Sequence, residues 1–516
     1  MVLSSIDTQR PTVDFLNRHR IAHHLFLLVI PGVVHVLARL DQWNHPMVGD
    51  DYLGIRVTQM PVRNGSFMEN VWLVGGGKWR PLTTAILIWL GQAWGYDYGN
   101  FQILNSILLV CIAWFTGFLA LKLEISLGVA TAISVSVVLS QFTWMAQTSI
   151  YGVMELLALL LTLGSAHYGI KAASGDARCR LNVGLSTFLL FAASMAHERF
   201  VLCAFVLALY FLVLGKSTDT HRVAFAPLLI PVFYVAFRAL ILQLDPLAGG
   251  GESNLEQNLG TWIGVHFWDA LRMLFGGYSA TGVFYTANPL ADLRTRNDLV
   301  WLPVVAIAGL GLICFRLLRE HSAENSAEEQ RRKLHQSALL MCLSLSTLLP
   351  AATVTERIEG RWLFAPQVLF ILALGVLTSG RKSIWSIVSR YFYPVFFCLV
   401  ALYYLPNSAD YLRFRDQPSQ VMSAVAEAAP KSEPWVLVVS QADPAVPAEW
   451  QFGYGNAFTQ LPNPPYLASV VTGRRNDCPI LKKRITCVVV RLAGLEAPGK
   501  PAVVLSRVAS ISINRS

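Results

Sequence analysis

Apolar runs close to 20 residues long recur from residue 21 to residue 406, and they limit what this chain can fold into. A helix needs about 20 apolar residues to cross the hydrocarbon core of a bilayer. The runs are continuous rather than alternating, so they predict a helical bundle and exclude a strand barrel. Composition agrees. Of 516 residues, 54% are hydrophobic and 14% charged, where a soluble domain carries about 25% charged residues. Spans are predicted near 21–40, 101–121, 126–144, 147–168, 183–197, 200–215, 223–243, 299–318, 336–354, 362–379 and 390–406. The runs at 183–197 and 200–215 are short and read equally as one bent pair meeting at His197-Glu198-Arg199.

Orientation follows from Lys and Arg, which concentrate on the cytoplasmic side. With the N-terminus inside, the inner loops carry Arg10, Arg18, Arg20, Lys122, Lys171, Arg178, Arg180, Lys216, Arg222, Arg316, Arg319, Arg331, Arg332, Lys333, Arg381, Lys382 and Arg390. The outer loops are longer in total and carry fewer. No small-x-small cleavage site follows the first run, so a retained first span is expected. Residues 260–285 are aromatic and apolar, but a crossing there would put Arg331-Arg332-Lys333 outside. They read as an interfacial or re-entrant helix. The stretch 82–95 is too short to span and is expected along the outer interface. Glu320 to Lys333 is expected to be a solvated cytoplasmic helix extension.

Composition changes near residue 409. Trp435 to Val439 and Thr486 to Arg491 read as buried strands, and Val421 to Ala429 as a short helix. The expected architecture is therefore an all-α polytopic membrane domain over 1–408, of about eleven transmembrane helices, and a small α/β domain over 409–516. An odd number of spans places that domain outside. The net charge of +9 is spread over short loops and forms no basic face, so no nucleic-acid partner is expected. Cys111, Cys203, Cys314, Cys342 and Cys398 lie in or beside apolar runs and read as small core residues. Cys179 reads as a loop residue. Cys478 and Cys487 form a disulfide only if the tail faces an oxidising compartment.

Ionisable residues at a membrane boundary cost several kcal/mol and are functional candidates. Four groups fall on the outer side under this topology. Gly49-Asp50-Asp51-Tyr52 follows the first span. Adjacent carboxylates there suit a general base or a divalent ion; taken alone they read first as an ordinary helix cap. Lys78-Trp79-Arg80-Pro81 puts two cations beside a Trp, which fits a phosphate or an aromatic-belt anchor. His197-Glu198-Arg199 interrupts an apolar stretch, and Glu356-Arg357-Ile358-Glu359-Gly360-Arg361 lies between two spans. Arg238 and Glu155 fall inside predicted spans near their outer ends. Arg238 either snorkels or joins the cluster, and Glu155 wants a cationic partner. Together these groups supply an acid pair and several cations. That is the chemistry for deprotonating an acceptor hydroxyl and neutralising a phosphate leaving group.

The Asp-Asp pair, then Trp79-Arg80-Pro81-Leu82-Thr83, then Asn100 to Leu108, resembles the membrane-embedded GT-C glycosyltransferases. Within that class the chain is most similar to bacterial relatives of the transmembrane O-mannosyltransferases with tetratricopeptide repeats. The counterparts of that family's motifs are Arg80-Pro81-Leu82, His197-Glu198 and Gly360-Arg361-Trp362-Leu363-Phe364-Ala365-Pro366. The resemblance covers roughly 20–405. It implies a GT-C fold in a bacterial plasma membrane. It also implies a dolichyl- or undecaprenyl-phosphate sugar donor and an inverting displacement onto a hydroxyl of a glycan, lipid or protein. By analogy Asp50 is the general base, and Asp51 orients the acceptor or an ion. Lys78, Arg80, His197, Arg199, Arg357 and Arg361 meet the donor phosphate, and Glu155, Glu198, Arg238 and Glu356 support them. A divalent cation such as Mg²⁺ or Mn²⁺ has only Asp50 and Asp51 as obvious ligands. Three departures stand out: His197 replaces the family's Lys, the tetratricopeptide repeats are absent, and the tail from about 410 matches no pattern of the family. Two other classes remain open on the residues alone. A transporter or flippase explains the spans equally well, and a non-catalytic assembly protein would tolerate substitution at Asp50 and Arg80.

Overall fold

The computed structural model describes residues 10–40, 79–94, 98–175, 178–243, 267, 270–275, 304–311, 327–352, 360–379 and 387–402, and four strands between 435 and 515. Its helices are α1 (Arg10–Ala38), α2 (Pro81–Trp94), α3 (Tyr98–Lys122), α4 (Leu127–Leu139), α5 (Thr143–Thr148), α6 (Gly152–Ala173), α7 (Cys179–Ala196), α8 (Cys203–Leu214), α9 (Leu229–Ala236), α10 (Ala327–Ala352), α11 (Phe364–Thr378) and α12 (Ile387–Leu402). Among the described residues, six segments are long and apolar enough to cross a membrane: Ile21–Ala38, Gly99–Lys122, Gly152–Ala173, Cys179–Ala196, Thr218–Ile241 and Arg361–Thr378. Each sits on an apolar run of the sequence. A water-soluble bundle would not present so many apolar faces, so the chain is an integral membrane protein.

The segments differ in how much neighbouring protein covers them. Arg361–Thr378 is 83% buried inside the protein and Ile21–Ala38 only 17%. The α11 segment is therefore central, while α1 turns Leu25, Val29 and Leu37 outward, where lipid accommodates them. Apolar contact gives little drive for helix association in lipid, so small residues and hydrogen bonds between helices carry more of it. Serines supply these here. Ser134 of α4 donates to the Ala113 carbonyl of α3 at 2.9 Å. Ser165 of α6 and Ser186 of α7 each donate to the other's carbonyl at 2.8 Å. Ser337 and Ser344 of α10 donate to the Ala373 and Pro366 carbonyls of α11 at 2.9 and 2.7 Å.

Cross-loop contacts define two ends of the bundle. At one end Arg332 meets Glu124 at 2.7 Å, Lys216 meets Glu328 at 3.0 Å, and Arg180 meets Asp219 at 2.6 Å. These pairs bring together the turns after α3, α6 and α8 and the first turns of α10, which are the loops the sequence places inside. The start of α2, the start of α6, the α7–α8 turn and the start of α11 lie at the opposite end. Ala327 begins a continuous helix, so the charged residues from Glu328 to Lys333 are the first turns of α10.

Two cysteine readings are corrected. Cys179 is the buried first residue of α7 rather than a loop residue, and Cys342 is exposed rather than a core residue. Cys342 lies in the same helical run as buried Leu339 and Leu343, but helical rotation turns it to another face. Cys314 and Cys478, the 421–429 helix and most of 260–285 lie outside the described residues. The strands β1 (Trp435–Gln441), β2 (Leu467–Gly473), β3 (Thr486–Glu496) and β4 (Val504–Arg515) form one sheet in the order β2-β1-β3-β4. Two of them fall on the runs that the sequence marks as strands. β1 pairs parallel with β2 and with β3, and β3 pairs antiparallel with β4. The continuous apolar run of β1 suits a central parallel strand.

The corner between α5 and α6 is tight. A Cβ on Gly152 would lie 1.5 Å from the Ala146 carbonyl oxygen, and Asn105 of α3 ties the same corner by donating to the Ser149 carbonyl at 2.7 Å. Gly152→Ala is expected to cost about 3 kcal/mol. Gly184→Ala, at a helical site with nothing within 4 Å of the added carbon, is expected to be neutral or to stabilise by up to about 1 kcal/mol. Thermal unfolding of both variants in detergent checks the contrast.

Candidate functional site: a buried ion-pair network

Helix α7 stops at His197. Its backbone is extended there (φ −152°, ψ 122°), and its ring Nδ1 accepts the Arg199 amide N–H at 3.3 Å. This side-chain cap starts the short 3₁₀ turn Glu198–Leu202, which leads into α8. The polar triplet thus both ends one helix and aims three ionisable side chains inward. The expected polar turn between two short spans is present, with its side chains directed into protein.

Glu155 lies in the first turn of α6 and is 2% exposed. The Arg199 guanidinium donates to its Oε2 through Nη2, and through Nη1 to the Trp362 carbonyl at 2.9 Å. His197 Nε2 is 3.2 Å from Glu155 Oε1. Because Nδ1 accepts a backbone N–H, the ring proton sits on Nε2 and faces the carboxylate. Arg80, just before the Pro81 that opens α2, donates through Nε and Nη2 to the two oxygens of Glu198. That is the bidentate geometry in which Arg binds a carboxylate most strongly. Arg361, in the turn leading into α11, is close enough to act electrostatically on Arg80, Glu155 and Arg199.

Packing holds the parts in place. Thr83 of α2 donates to the Ala196 carbonyl at the end of α7 at 2.7 Å. Trp79 is fully buried, stacked on Phe237 at 4.5 Å and tilted against Tyr234 at 5.5 Å. Tyr234 carries Arg238 over its ring at 5.6 Å, with Arg238 Nη1 3.5 Å from its hydroxyl. Arg238 therefore joins the cluster through an aromatic bridge instead of snorkelling outward.

Burial opposes the charge on Glu198, but the Arg80 guanidinium outweighs it and holds the carboxyl well below its ordinary value. Arg80 is raised in turn, since Glu198 overcomes the burial that opposes its charge. His197 is lowered to about 4, chiefly by burial, so it is neutral at pH 7.

Of the residues singled out by the sequence, Arg80, Glu155, His197, Glu198, Arg199 and Arg361 come together, and Arg238 borders them. Asp50, Asp51, Lys78, Glu356 and Arg357 lie outside the described residues. Two expectations change. His197 caps the turn and lies against Glu155, and burial lowers its tendency to carry a positive charge. Arg80 and Arg199 are not open cations, because Glu198 and Glu155 hold them. Sequence reasoning missed a second polar seam at the same end, where Arg39 donates to Thr143 Oγ1 at 2.7 Å and Ser140 hydrogen-bonds Gln367. Its one sequence signal was an arginine closing an apolar run. Among the described residues no three His, Cys, Asp or Glu side chains group as metal ligands.

Fold and site together define a class: a helical integral membrane protein with a buried Arg–Glu–His network at one end of its bundle. No protein-family model matches the chain, and no curated protein matches it.

Removing one partner of a buried pair leaves the other charge uncompensated, at about 3–5 kcal/mol. Glu155→Gln is expected to destabilise by that amount, while Arg80→Leu with Glu198→Leu together is expected to recover most of the loss caused by Glu198→Leu alone. Chemical denaturation in detergent measures both. The Glu198 carboxyl is depressed, so its contribution to stability is present above its ordinary value of 4.5 and is lost as pH falls below it. A melting series from pH 7 to pH 3 should show a loss at the acid end that Glu198→Gln reduces.

Proposed function

We propose that this chain is a GT-C-type glycosyltransferase that moves a sugar from a polyprenyl-phosphate donor to a hydroxyl of a glycan, lipid or protein, with inversion. One observation carries the reading. Six ionisable side chains from four separate stretches of sequence form one network at the end of the bundle opposite the basic end. Three of these stretches, those of Arg80, His197-Glu198 and Arg361, are among the ones that resemble motifs of the GT-C enzymes. The network end is taken as extracytoplasmic and the basic end as cytoplasmic, in a bacterial plasma membrane. The reading includes about eleven crossings and a small extracytoplasmic α/β domain built on the β1–β4 sheet.

In this mechanism the acceptor oxygen attacks the anomeric carbon, the bond from that carbon to the phosphate oxygen breaks, and Asp50 takes the acceptor proton. The polyprenyl phosphate leaves with its charge met by cations. The carboxylates fix the Arg80 and Arg199 guanidiniums in position before substrate arrives, so no reorganisation is needed at the moment of reaction. Arg361, Lys78 and Arg357 then meet the phosphate directly. Asp51, with Asp50, is the candidate holder of Mg²⁺ or Mn²⁺; activity that survives thorough chelation removes the ion from the scheme.

The test is sugar release from a panel of radiolabelled polyprenyl-phosphate sugars in proteoliposomes. Asp50→Asn is expected to abolish turnover with insertion unchanged, and Arg361→Gln to lower the rate by about 10²–10³. Wild-type turnover in Asp50→Asn removes that residue from the mechanism. No turnover by the folded wild type with any donor overturns the transferase in favour of the transporter.

A further inference from the structure

The basic end of the bundle contains two lysines that differ from their neighbours. Lys216, Arg332, Lys333 and Arg180 there each meet a carboxylate. Lys122 and Lys171 meet none among the described residues. Instead each ammonium lies over an aromatic ring, Lys122 5.5 Å from the Phe118 centroid and Lys171 5.6 Å from the Tyr168 centroid. Both are exposed, both act electrostatically on His167, and the His167 ring lies 5.8 Å from the Phe118 ring and 5.3 Å from the Tyr168 ring that the two ammoniums cover. Each closes a membrane-long segment, Gly99–Lys122 and Gly152–Ala173.

Below the lysines the surface is a half-buried floor of rings from three helices. His167 of α6 lies 5.8 Å from Phe118 of α3, and His24 of α1 lies 5.3 Å from Phe118 and 6.0 Å from Trp114. Trp114 stacks on Phe118 at 6.1 Å. The His24 ring carries a buried Nδ1 without a hydrogen-bond partner. A helix C-terminus attracts one cation on each helix. That effect does not explain a floor of aromatic and imidazole rings shared by α1, α3 and α6.

We infer that Lys122 and Lys171, set over the ring floor of α1, α3 and α6, form a binding site for the phosphate headgroup of an anionic phospholipid. Two ammonium groups held without a carboxylate are complementary to a phosphodiester. The site lies where membrane-long helices end, at headgroup depth, and at the end that the distribution of Lys and Arg assigns to the anionic leaflet. The apolar faces of Trp114, Phe115 and Phe118 suit the first carbons of an acyl chain. This inference does not depend on the transferase reading.

The test is native mass spectrometry of the full chain released from nanodiscs of phosphatidylcholine containing phosphatidylglycerol. Wild type is expected to retain phosphatidylglycerol in preference to phosphatidylcholine. Lys122→Gln with Lys171→Gln is expected to lower that retention roughly thirtyfold, at about a fivefold loss for each lysine near an anionic surface. Lys216→Gln, which removes a carboxylate-paired lysine of the same end, should leave retention unchanged, and Lys122→Arg with Lys171→Arg should preserve it. Equal retention in wild type and the double Gln variant overturns the site. An equal loss in Lys216→Gln also overturns it, because it shows a diffuse field. In a second arm inorganic phosphate is added to wild type at matched ionic strength. Unchanged lipid retention supports a lipid site, and displacement of the lipid by phosphate overturns the lipid in favour of a free anion.

Discussion

Charge placed where water is scarce must be matched, and the Glu155–Arg199 pair is where this constraint is most acute. Glu155 is in the first turn of a membrane-long helix, and an isolated carboxylate there would neutralise instead of staying ionised. Arg199 reaches it from the α7–α8 turn and also takes the Trp362 carbonyl at the entry to α11. One guanidinium therefore ties together α6, the α7–α8 turn and α11. Arg80 does the same for α2 through Glu198, and His197 touches both acids. The ends of four helices depend on one set of ion pairs.

The rest of the bundle is organised so that this end can be dry. The Arg361–Thr378 segment is the most enclosed, and serine-to-carbonyl hydrogen bonds hold α10 against it. Glycine has a specific task at two positions. Gly152 lets the α5–α6 corner close, and Gly117 lets α3 approach α1 and α4, since a Cβ there would lie 2.3 Å from Ser134 Oγ. The opposite end carries the exposed ion pairs, which water screens and which contribute little to stability. The two ends thus use charge differently: the basic end in exposed pairs between turns, the other in buried pairs that fix geometry.

Much of the bundle was legible because period and length are strong signals. The apolar runs mark where the membrane-long helices lie, and the charged interruptions at Glu155, His197-Glu198-Arg199 and Arg361 mark the site. Partner choice was not legible. Nothing in the order of residues pairs Arg80 with Glu198, 118 positions away, or assigns Arg199 to Glu155 and not to its neighbour Glu198. The neutral state of His197 was also hidden, because it follows from burial and from the amide that Nδ1 accepts. The Arg39 seam was passed over because a single arginine closing a span usually snorkels.

The sequence by itself determined that the chain crosses a membrane, where the six membrane-long segments lie and which residues are too polar for their surroundings, because the cost of exposing polar groups to hydrocarbon acts on each residue locally. Only the tertiary structure decided which charges neutralise one another, that His197 caps the turn and lies against Glu155, and that Lys122 and Lys171 are left over aromatic rings. Those outcomes depend on distances between helices that are remote in the chain, and Coulomb energy in a low-dielectric interior is set by those distances.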